Sequence, residues 1–307
     1  MSLASPVSLR NEDLSPAFHA ADRSSLQSQE RFLCAVRIRL IGLVLAGAFG
    51  LGTWKTSGTT ADWAGVLAAT SFLVTVFVEI YLLRSRPDRA WYEGRAAAES
   101  IKTLCWRYSV GAEPFRINVQ PGPQIEALFL KQVESVIGIL KHITVAAPAA
   151  AGPQITAGMR LVREKPLADR KLDYETGRVV DQQTWYQRKA LQNSQSALRW
   201  GVLVVLLEIA GVCAAIIKAV GLLEGDFLIF AGVLVATGAT WLETKQYQNL
   251  ATAYTVASLE LASVRTKIAW QESEEDWAAF VNDAEQAFSR EHTLWKASRG
   301  IQSVEMP

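Results

Sequence analysis

Four long apolar runs constrain this chain more than any other feature, because a helix needs roughly 20 apolar residues to cross a bilayer. The runs cover about residues 36–54, 63–83, 200–217 and 227–242. Short links join the first run to the second and the third to the fourth. We therefore predict an all-α membrane protein whose four transmembrane helices form two hairpins, with long cytoplasmic helices outside the spans.

A soluble bundle with four buried helices is the alternative, since the first and fourth runs are shorter than the roughly 20 residues that a bilayer prefers. Tryptophans at the ends of the runs favour the membrane, because an indole ring sits well at the level of the lipid headgroups. These residues are Trp54, Trp63, Trp200 and Trp241. Mean hydropathy is +0.13 although 20% of the residues are charged, so the apolar residues are concentrated in blocks.

Basic residues around the hairpins predict their orientation. Each link carries one basic residue, Lys55 or Lys218. Arginines flank the other ends of the first hairpin: Arg31, Arg37 and Arg39 before it, and Arg84, Arg86 and Arg89 after it. Because basic residues favour the cytoplasmic side, the links should face outward, and both termini should be cytoplasmic.

Apolar residues recur at helical spacing outside the spans as well, and they predict further helices. Ser273 followed by three acidic residues is typical of a helix N-terminus. The predicted helices cover residues 88–110, 125–140, 172–198 with a weak point at Gly177, 245–270, and a final segment after Ser273. The resulting order is an N-terminal cytoplasmic segment (1–35), a first module (36–112), a helical connector (113–171) and a second module (172–307).

Polar residues inside the spans are candidates for lining a water path. In the second span, Ser71, Thr75 and Glu79 recur every four residues and so share one helical face. In the fourth span, Thr237 and Thr240 do nearly the same. The alternative is that the hydroxyl groups bond between helices, and that Glu79 reaches the cytoplasmic interface.

Glu208 lies well inside the third span. A charge at that depth costs several kcal/mol unless it is paired, protonated or in contact with water. Glu208 is therefore a candidate for a functional or assembly role, and the alternative is a tolerated bystander.

Aromatic and basic residues cluster in two amphipathic segments that border the hairpins. They form a candidate ligand or partner surface made of Trp91, Tyr92, Arg95, Trp185, Tyr186, Arg188 and Lys189. Such side chains can stack on a nucleotide, although aromatic residues on long amphipathic helices more often belong to the core.

Two of these segments resemble a known family. The runs are RAWYEGRAAAESIKTLCWRY (89–108) and RVVDQQTWYQRKALQN (178–193), and they are similar to SLATT proteins, the SMODS- and SLOG-associating two-transmembrane effector domains. Two such modules in tandem would cover nearly the whole chain. The resemblance implies a defence effector of the bacterial inner membrane that forms a pore or disrupts the bilayer when it is triggered. The implied trigger is a nucleotide-type second messenger or a separately encoded sensor protein.

Two hairpins supply too few helices to enclose a wide water path, so a conducting state requires a homo-oligomer. The main alternative to a pore is a non-conducting scaffold or sensor that is anchored in the membrane and recruits a cytoplasmic partner. Membrane lipid is the expected partner in either case.

An enzyme is not expected, because His19, His142 and His292 are scattered and no phosphate-binding glycine loop or paired-carboxylate motif occurs. The cysteines, Cys34, Cys105 and Cys213, are too far apart to suggest a zinc site. We therefore predict no cofactor and no metal. A net charge of +1 gives no reason to expect a nucleic-acid partner.

Overall fold

The computed structural model describes residues 9–57, 60–117, 119, 121–138, 152–222 and 227–297, with the side chains of the last helix described as far as residue 286. These residues form α-helices joined by short turns, with no strand among them, so the predicted all-α class is confirmed. The helices are α1 Pro16–Phe49, α2 Trp63–Ser85, α3 Pro87–Val110, α4 Gly122–Gly138, α5 Ala157–Arg163, α6 Leu167–Tyr174, α7 Asp181–Ala219, α8 Phe227–Lys245, α9 Tyr247–Ile268 and α10 Glu274–Ala297.

Four of the described helical segments are long and apolar enough to cross a membrane, and they contain α1, α2, α7 and α8. The chain is a multi-pass membrane protein in which α1 with α2, and α7 with α8, form the two predicted hairpins. The first helix ends at Phe49, short of Trp54, and glycines follow at positions 50 and 52. Its N-terminal end lies at Pro16, far upstream of the apolar run.

The chain divides into two compact units. The extramembrane unit comprises residues 1–29, 88–189 and 253–307, and the membrane unit comprises residues 30–87 and 190–252. Each unit is assembled from segments that are distant in the sequence.

Aromatic side chains form the core of the extramembrane unit. The ring of Tyr174 lies edge-on to Trp106, with 6.0 Å between centroids, and edge-on to Trp277 at 5.6 Å. All three side chains are buried, and the Trp277 indole N–H donates to the carbonyl of Val110 at 2.9 Å. This bond gives the one polar atom of the indole a partner, as a buried tryptophan requires.

Small residues bring the helices of the membrane unit close together, as is usual where lipid replaces water. A Cβ on Gly42 of α1 would lie 2.7 Å from the Thr75 methyl group of α2. A Cβ on Gly47 of α1 would lie 3.3 Å from the ring of Phe230 on α8. Helix α1 therefore packs against both α2 and α8.

Tryptophans at the ends of the third and fourth spans contact each other within the membrane unit. The rings of Trp200 and Trp241 are 6.0 Å apart between centroids. The guanidinium of Arg37 lies 5.5 Å from the Trp241 ring, and the ammonium of Lys245 lies 5.7 Å from it. Cation–π contacts of this kind suit the border between lipid and water.

A single residue in the left-handed conformation follows the last span of each hairpin. Arg86 (φ 44°) separates α2 from α3, and Gln246 (φ 48°) separates α8 from α9. The backbone N–H of each residue caps the helix before it: that of Arg86 donates to Leu82 O at 3.2 Å, and that of Gln246 donates to Leu242 O at 2.8 Å. The predicted helix over residues 245–270 is thus broken at Gln246.

The segment around Gly177 departs from α-helical geometry. Residues Glu175–Val180 form a π-helical turn between α6 and α7, where the sequence predicts a weak point. A Cβ on Gly177 would lie 2.9 Å from the buried Trp106 ring, so a glycine permits this close approach. The other predicted extramembrane helices correspond to α3, α4 and α10, with Leu140 outside the described residues.

Candidate functional site

Charged residues in the first hairpin form an ion pair. Arg39 of α1 and Glu79 of α2 approach to 2.6 Å between Nη1 and Oε2, and both side chains keep partial exposure. The pair joins the two spans near the end where both of their arginine-rich flanks lie. A bond of this kind fixes the register between α1 and α2.

The polar face of the second span lies against α1 in the single chain. Thr75 is buried beside Gly42, and Ser71 is half-buried. Both hydroxyls donate to carbonyls of their own helix, Ser71 to Leu67 O at 2.8 Å and Thr75 to Phe72 O at 2.7 Å. The face that carries Ser71 and Thr75 is thus packed against α1. Contact of this face with water stays a prediction, which concerns an assembly of several copies.

The threonines of the fourth span behave similarly. Thr237 and Thr240 are half-buried, and the Thr240 hydroxyl donates to Ala236 O at 2.8 Å. Such bonds satisfy a hydroxyl in lipid without a second helix.

The contact between Gly42 and Thr75 gives a testable prediction. We expect Gly42→Ala to destabilise the folded protein by about 1–3 kcal/mol, because the new methyl group overlaps the Thr75 methyl group. Thr75→Ser removes that methyl group and keeps the hydroxyl, so the double variant should recover most of the loss. Thermal unfolding of the purified protein in detergent measures both. Equal losses in the single and double variants would contradict the contact.

Glu208 of α7 differs from the other intramembrane polar residues. Its side chain is exposed, and among the described residues it has no hydrogen bond and no ion pair. Nearby, α7 contacts α8: a Cβ on Gly238 would lie 2.9 Å from the Val204 side chain, and one on Gly211 would lie 3.5 Å from Ala231 Cβ. Of residues 200–219, only Gly211 is buried, so most of the third span faces outward from the unit.

Part of the predicted ligand or partner surface forms one cluster around Trp185. Arg95 lies 5.6 Å and Lys189 lies 5.9 Å from the ring centroid of Trp185. Tyr186 is buried and stacks on Tyr254, with 5.6 Å between centroids. Tyr254 was not predicted, because it lies on α9, far away in the sequence.

The remaining members of that surface are Trp91, Tyr92 and Arg188. Trp91 and Tyr92 stack on each other at 4.9 Å, and Tyr92 is buried. Arg188 is exposed. These aromatic residues serve the core at least in part, which is the alternative that the sequence left open.

A cavity of about 170 Å³ opens beside Trp185. It is lined by Asn11, Phe18, Asp22, Arg95, Ala98, Glu99, Lys102, Asp181, Gln182 and Trp185. Burial, followed by the charge of nearby Arg178, lowers the pKa of the Lys102 ammonium. The cavity is smaller than the roughly 300 Å³ at which small-molecule pockets usually begin, and acidic side chains outnumber basic ones along it.

Comparison with protein families decides what kind of chain this is. The family described as SMODS and SLOG-associating 2TM effector domain 3 matches residues 16–171, more than half of the chain. The chain belongs to the SLATT family. A second SLATT domain, described as SMODS and SLOG-associating 2TM effector domain 1, matches residues 174–295. No curated protein and no solved structure matches the chain.

The predicted tandem arrangement of SLATT domains is therefore confirmed. Each domain contains one hairpin, α1 with α2 in the first and α7 with α8 in the second, as the two-transmembrane description requires. SLATT domains are membrane effector domains and are not known as enzymes. Among the described residues, no cluster of His, Cys, Asp or Glu could hold a metal ion.

A buried ion network connects the two SLATT domains inside the extramembrane unit. Arg178, in the π-helical turn of the second domain, donates to Glu285 Oε1 at 2.9 Å and Oε2 at 2.7 Å. The same guanidinium reaches Glu99 of the first domain at 3.1 Å. Arg178 is 1% exposed and Glu285 is 0% exposed, so the pair is withdrawn from water.

Two hydroxyl groups complete this network. Thr103 donates to Glu285 Oε2 at 2.8 Å, and Tyr174 donates to Glu285 Oε1 at 3.0 Å. Burial lowers the pKa of Arg178, but the carboxylates of Glu285 and Glu99 outweigh it and raise that pKa above its ordinary value. The arginine therefore stays charged at every physiological pH.

A second contact joins the same domains. Arg170 of the first domain is buried, donates to Val110 O at 2.7 Å and forms an ion pair with Glu274 of the second. The buried role of either arginine was not predicted, because periodic apolar patterns do not show which distant carboxylate a charged side chain will meet. The two SLATT domains thus share one extramembrane core.

Proposed function

We propose that this SLATT protein acts on the bacterial inner membrane as an effector that assembles from several copies through its third span. The observation that carries the proposal is the exposed Glu208 on a lipid-facing helix. A carboxyl group at that depth costs several kcal/mol in lipid unless it meets a polar partner or water. Since the described chain supplies no such partner, a neighbouring copy or a water path between copies supplies it.

The packing of the membrane unit supports the same proposal. Helix α1 has neighbours on two sides, whereas the described contacts of the transmembrane part of α7, residues 200–219, are made with α8. The outward side of α7 is lined by large apolar residues such as Val205, Ile209 and Val212, each more than half exposed. An assembly that places Glu208 at the contact between copies covers this face, and a ring of copies encloses the path that one chain cannot.

Substitutions of Glu208 test this proposal. Glu208→Gln removes the charge but keeps the shape and most of the hydrogen bonding, so we expect assembly to persist while ion flux or toxicity changes. Glu208→Leu removes both the charge and the hydrogen bonding, and we expect it to impair assembly. Oligomer size in detergent and ion flux from liposomes measure the two effects.

Ala210→Leu is the matched control, because Ala210 is also exposed and lies at nearly the same depth. It adds a leucine without removing a carboxylate and should leave both measurements unchanged. If Glu208→Leu matches the natural protein in oligomer size and in flux, Glu208 is a bystander and the proposal fails.

A non-conducting scaffold or sensor is the second candidate. It is favoured by the position of Ser71 and Thr75, whose helical face packs on α1 and not on a water path. Protein that assembles but conducts no ions under any trigger would support the scaffold. In both cases we place the termini and the extramembrane unit in the cytoplasm, in keeping with the arginines that flank the first hairpin.

The trigger is part of the proposal. The cavity beside Trp185 disfavours a nucleotide second messenger, because it is small and its lining is more acidic than basic. We therefore propose a separately encoded sensor protein as the trigger. Ion flux measured with and without candidate nucleotides distinguishes the two triggers.

A further inference from the structure

The cavity beside Trp185 lies where the two SLATT domains meet inside the extramembrane unit. Most of its lining comes from α1 and α3 of the first domain and from the start of α7 in the second. Arg95 and Lys102 of α3 are seven positions apart, so they share one face of that helix. A molecule bound in this cavity would contact both domains.

Four charged side chains in the lining form no hydrogen bond and no ion pair with any described residue. They are Asp22, Arg95, Lys102 and Asp181. The third carboxylate of the cavity, on Glu99, is already paired with Arg178 at 3.1 Å. The cavity therefore presents two unpaired cations and two unpaired carboxylates, which do not bond to one another.

A buried amide in the same lining also lacks a partner. Gln182 is 7% exposed, and its side chain makes no hydrogen bond within the part of the chain that the structure describes. Buried polar side chains nearly always have such a partner. Lys102 is in a similar position, since burial lowers the pKa of its ammonium group. Both observations indicate that a polar molecule occupies the cavity.

We infer that this cavity binds a small zwitterion, a free α-amino acid. Asp22 and Asp181 accept hydrogen bonds from its ammonium group. Arg95 and Lys102 donate to its carboxylate, in the charge-assisted bonds that are the strongest available to such groups. The Gln182 amide donates to or accepts from either end.

The mixture of charges selects a zwitterion over other small ions. An inorganic anion would be attracted by Arg95 and Lys102 but repelled by the two free carboxylates. A diamine would be attracted by Asp22 and Asp181 but repelled by the two free cations. Only a molecule with one group of each sign offers all four side chains a partner of opposite charge.

The size of the cavity limits the ligand to a short side chain. Its volume of about 170 Å³ equals that of roughly six water molecules at about 30 Å³ each. Phe18, Ala98 and Trp185 supply the apolar part of the lining. One copy of the chain contains the whole cavity, so the inference does not depend on the proposed assembly or its trigger.

Calorimetric titration of the purified full-length protein in detergent tests this inference. The probes are glycine, L-alanine, L-serine and L-threonine. Ethylamine and propionate each carry only one of the two charged groups of alanine and serve as controls. We expect at least one amino acid to bind, and to bind about tenfold or more tightly than either control, because each control loses charge-assisted bonds. The bound amino acid should also raise the thermal unfolding temperature.

Three results would overturn the inference. Tighter binding of phosphate or putrescine than of any amino acid would assign the cavity to an anion or to a diamine. Equal binding of the amino acid and its one-charge controls would exclude recognition of a zwitterion. If no probe binds, the cavity holds water alone.

Substitutions in the cavity provide the second measurement. Lys102→Met and Asp22→Asn each remove one unpaired charge, so the free protein should unfold at nearly the natural temperature while amino-acid binding weakens about tenfold or more. Lys131→Met on α4 and Asp169→Asn on α6 alter exposed residues and should leave binding unchanged. Loss of stability in Lys102→Met together with unchanged binding would give Lys102 a structural role and contradict the site.

Discussion

Replacing Arg178 with methionine should lower the free energy of unfolding by about 3–5 kcal/mol, because breaking a buried ion pair leaves uncompensated charge. The guanidinium donates to both oxygens of Glu285, which is 0% exposed, and also pairs with Glu99 at 3.1 Å. Without it, two carboxylates stay within a packed core. Urea unfolding in detergent, followed by tryptophan fluorescence and by circular dichroism, measures the loss.

An exposed ion pair of the same chemical type supplies the control. Arg265 and Glu175 approach to 2.8 Å, and the arginine side chain is 53% exposed. Since exposed pairs contribute about 0–1 kcal/mol, Arg265→Met should have little effect. The double variant Arg178→Met with Glu285→Met removes both charges and should be more stable than Arg178→Met alone. Similar losses for Arg178→Met and Arg265→Met would contradict a buried network.

Gly111→Ala should also cause a large loss, of about 2–5 kcal/mol, from two separate causes. Gly111 follows α3 with φ 76°, a conformation that costs a residue with a Cβ about 1–2 kcal/mol. In addition, the new Cβ would lie 2.6 Å from Ile117 Cγ1 and 2.9 Å from Arg170 Nη1. Displacing Arg170 would disturb its bond to Val110 O and its ion pair with Glu274.

Gly221 separates these two causes. It has the same φ of 76°, but apart from its chain neighbours no atom of the described residues lies within 4 Å of the position that its Cβ would take. Gly221→Ala should therefore show only the conformational cost, about 1–2 kcal/mol. The difference between the two variants, measured by the same unfolding experiment, gives the contribution of the crowded Arg170 site. Equal losses would show that this crowding is relieved at no cost.

The sequence predicts the helices that depend on local patterns. Four apolar runs define the hairpins, and apolar spacing predicts α3 from 88 to 110, where the structure has Pro87–Val110. The N-terminus of α10 is predicted correctly too, since Ser273 Oγ accepts the N–H of Asp276 at 3.0 Å. These features follow from residues that are close together in the chain.

Other features depend on residues that are distant in the sequence and could not be predicted. Arg178 stands inside the run that resembles SLATT proteins, yet nothing local distinguishes a buried arginine from a solvated one. Its partner Glu285 lies 107 positions away. The break at Gln246 was missed for a related reason, because glycine usually takes the left-handed position and glutamine gives no such signal.

The candidate site was predicted in part. Glu208 and the residues around Trp185 were identified from the sequence, because a charge in an apolar run and aromatic residues beside basic ones are visible there. Which side of α2 would be covered could not be predicted, since the stripe of Ser71 and Thr75 suits either a water path or a neighbouring helix. The fold places Gly42 against it.

The difference between the two hairpins bears on how the chain enters the membrane during synthesis. The first hairpin carries its own counter-ion, since Arg39 and Glu79 meet within one domain, so its charges are matched as soon as the second span has been made. The second hairpin must insert with Glu208 before any neighbouring copy has arrived. In the assembly that we propose, each newly inserted chain therefore carries an unpaired polar group until a neighbouring copy arrives, and association then lowers the free energy of both chains.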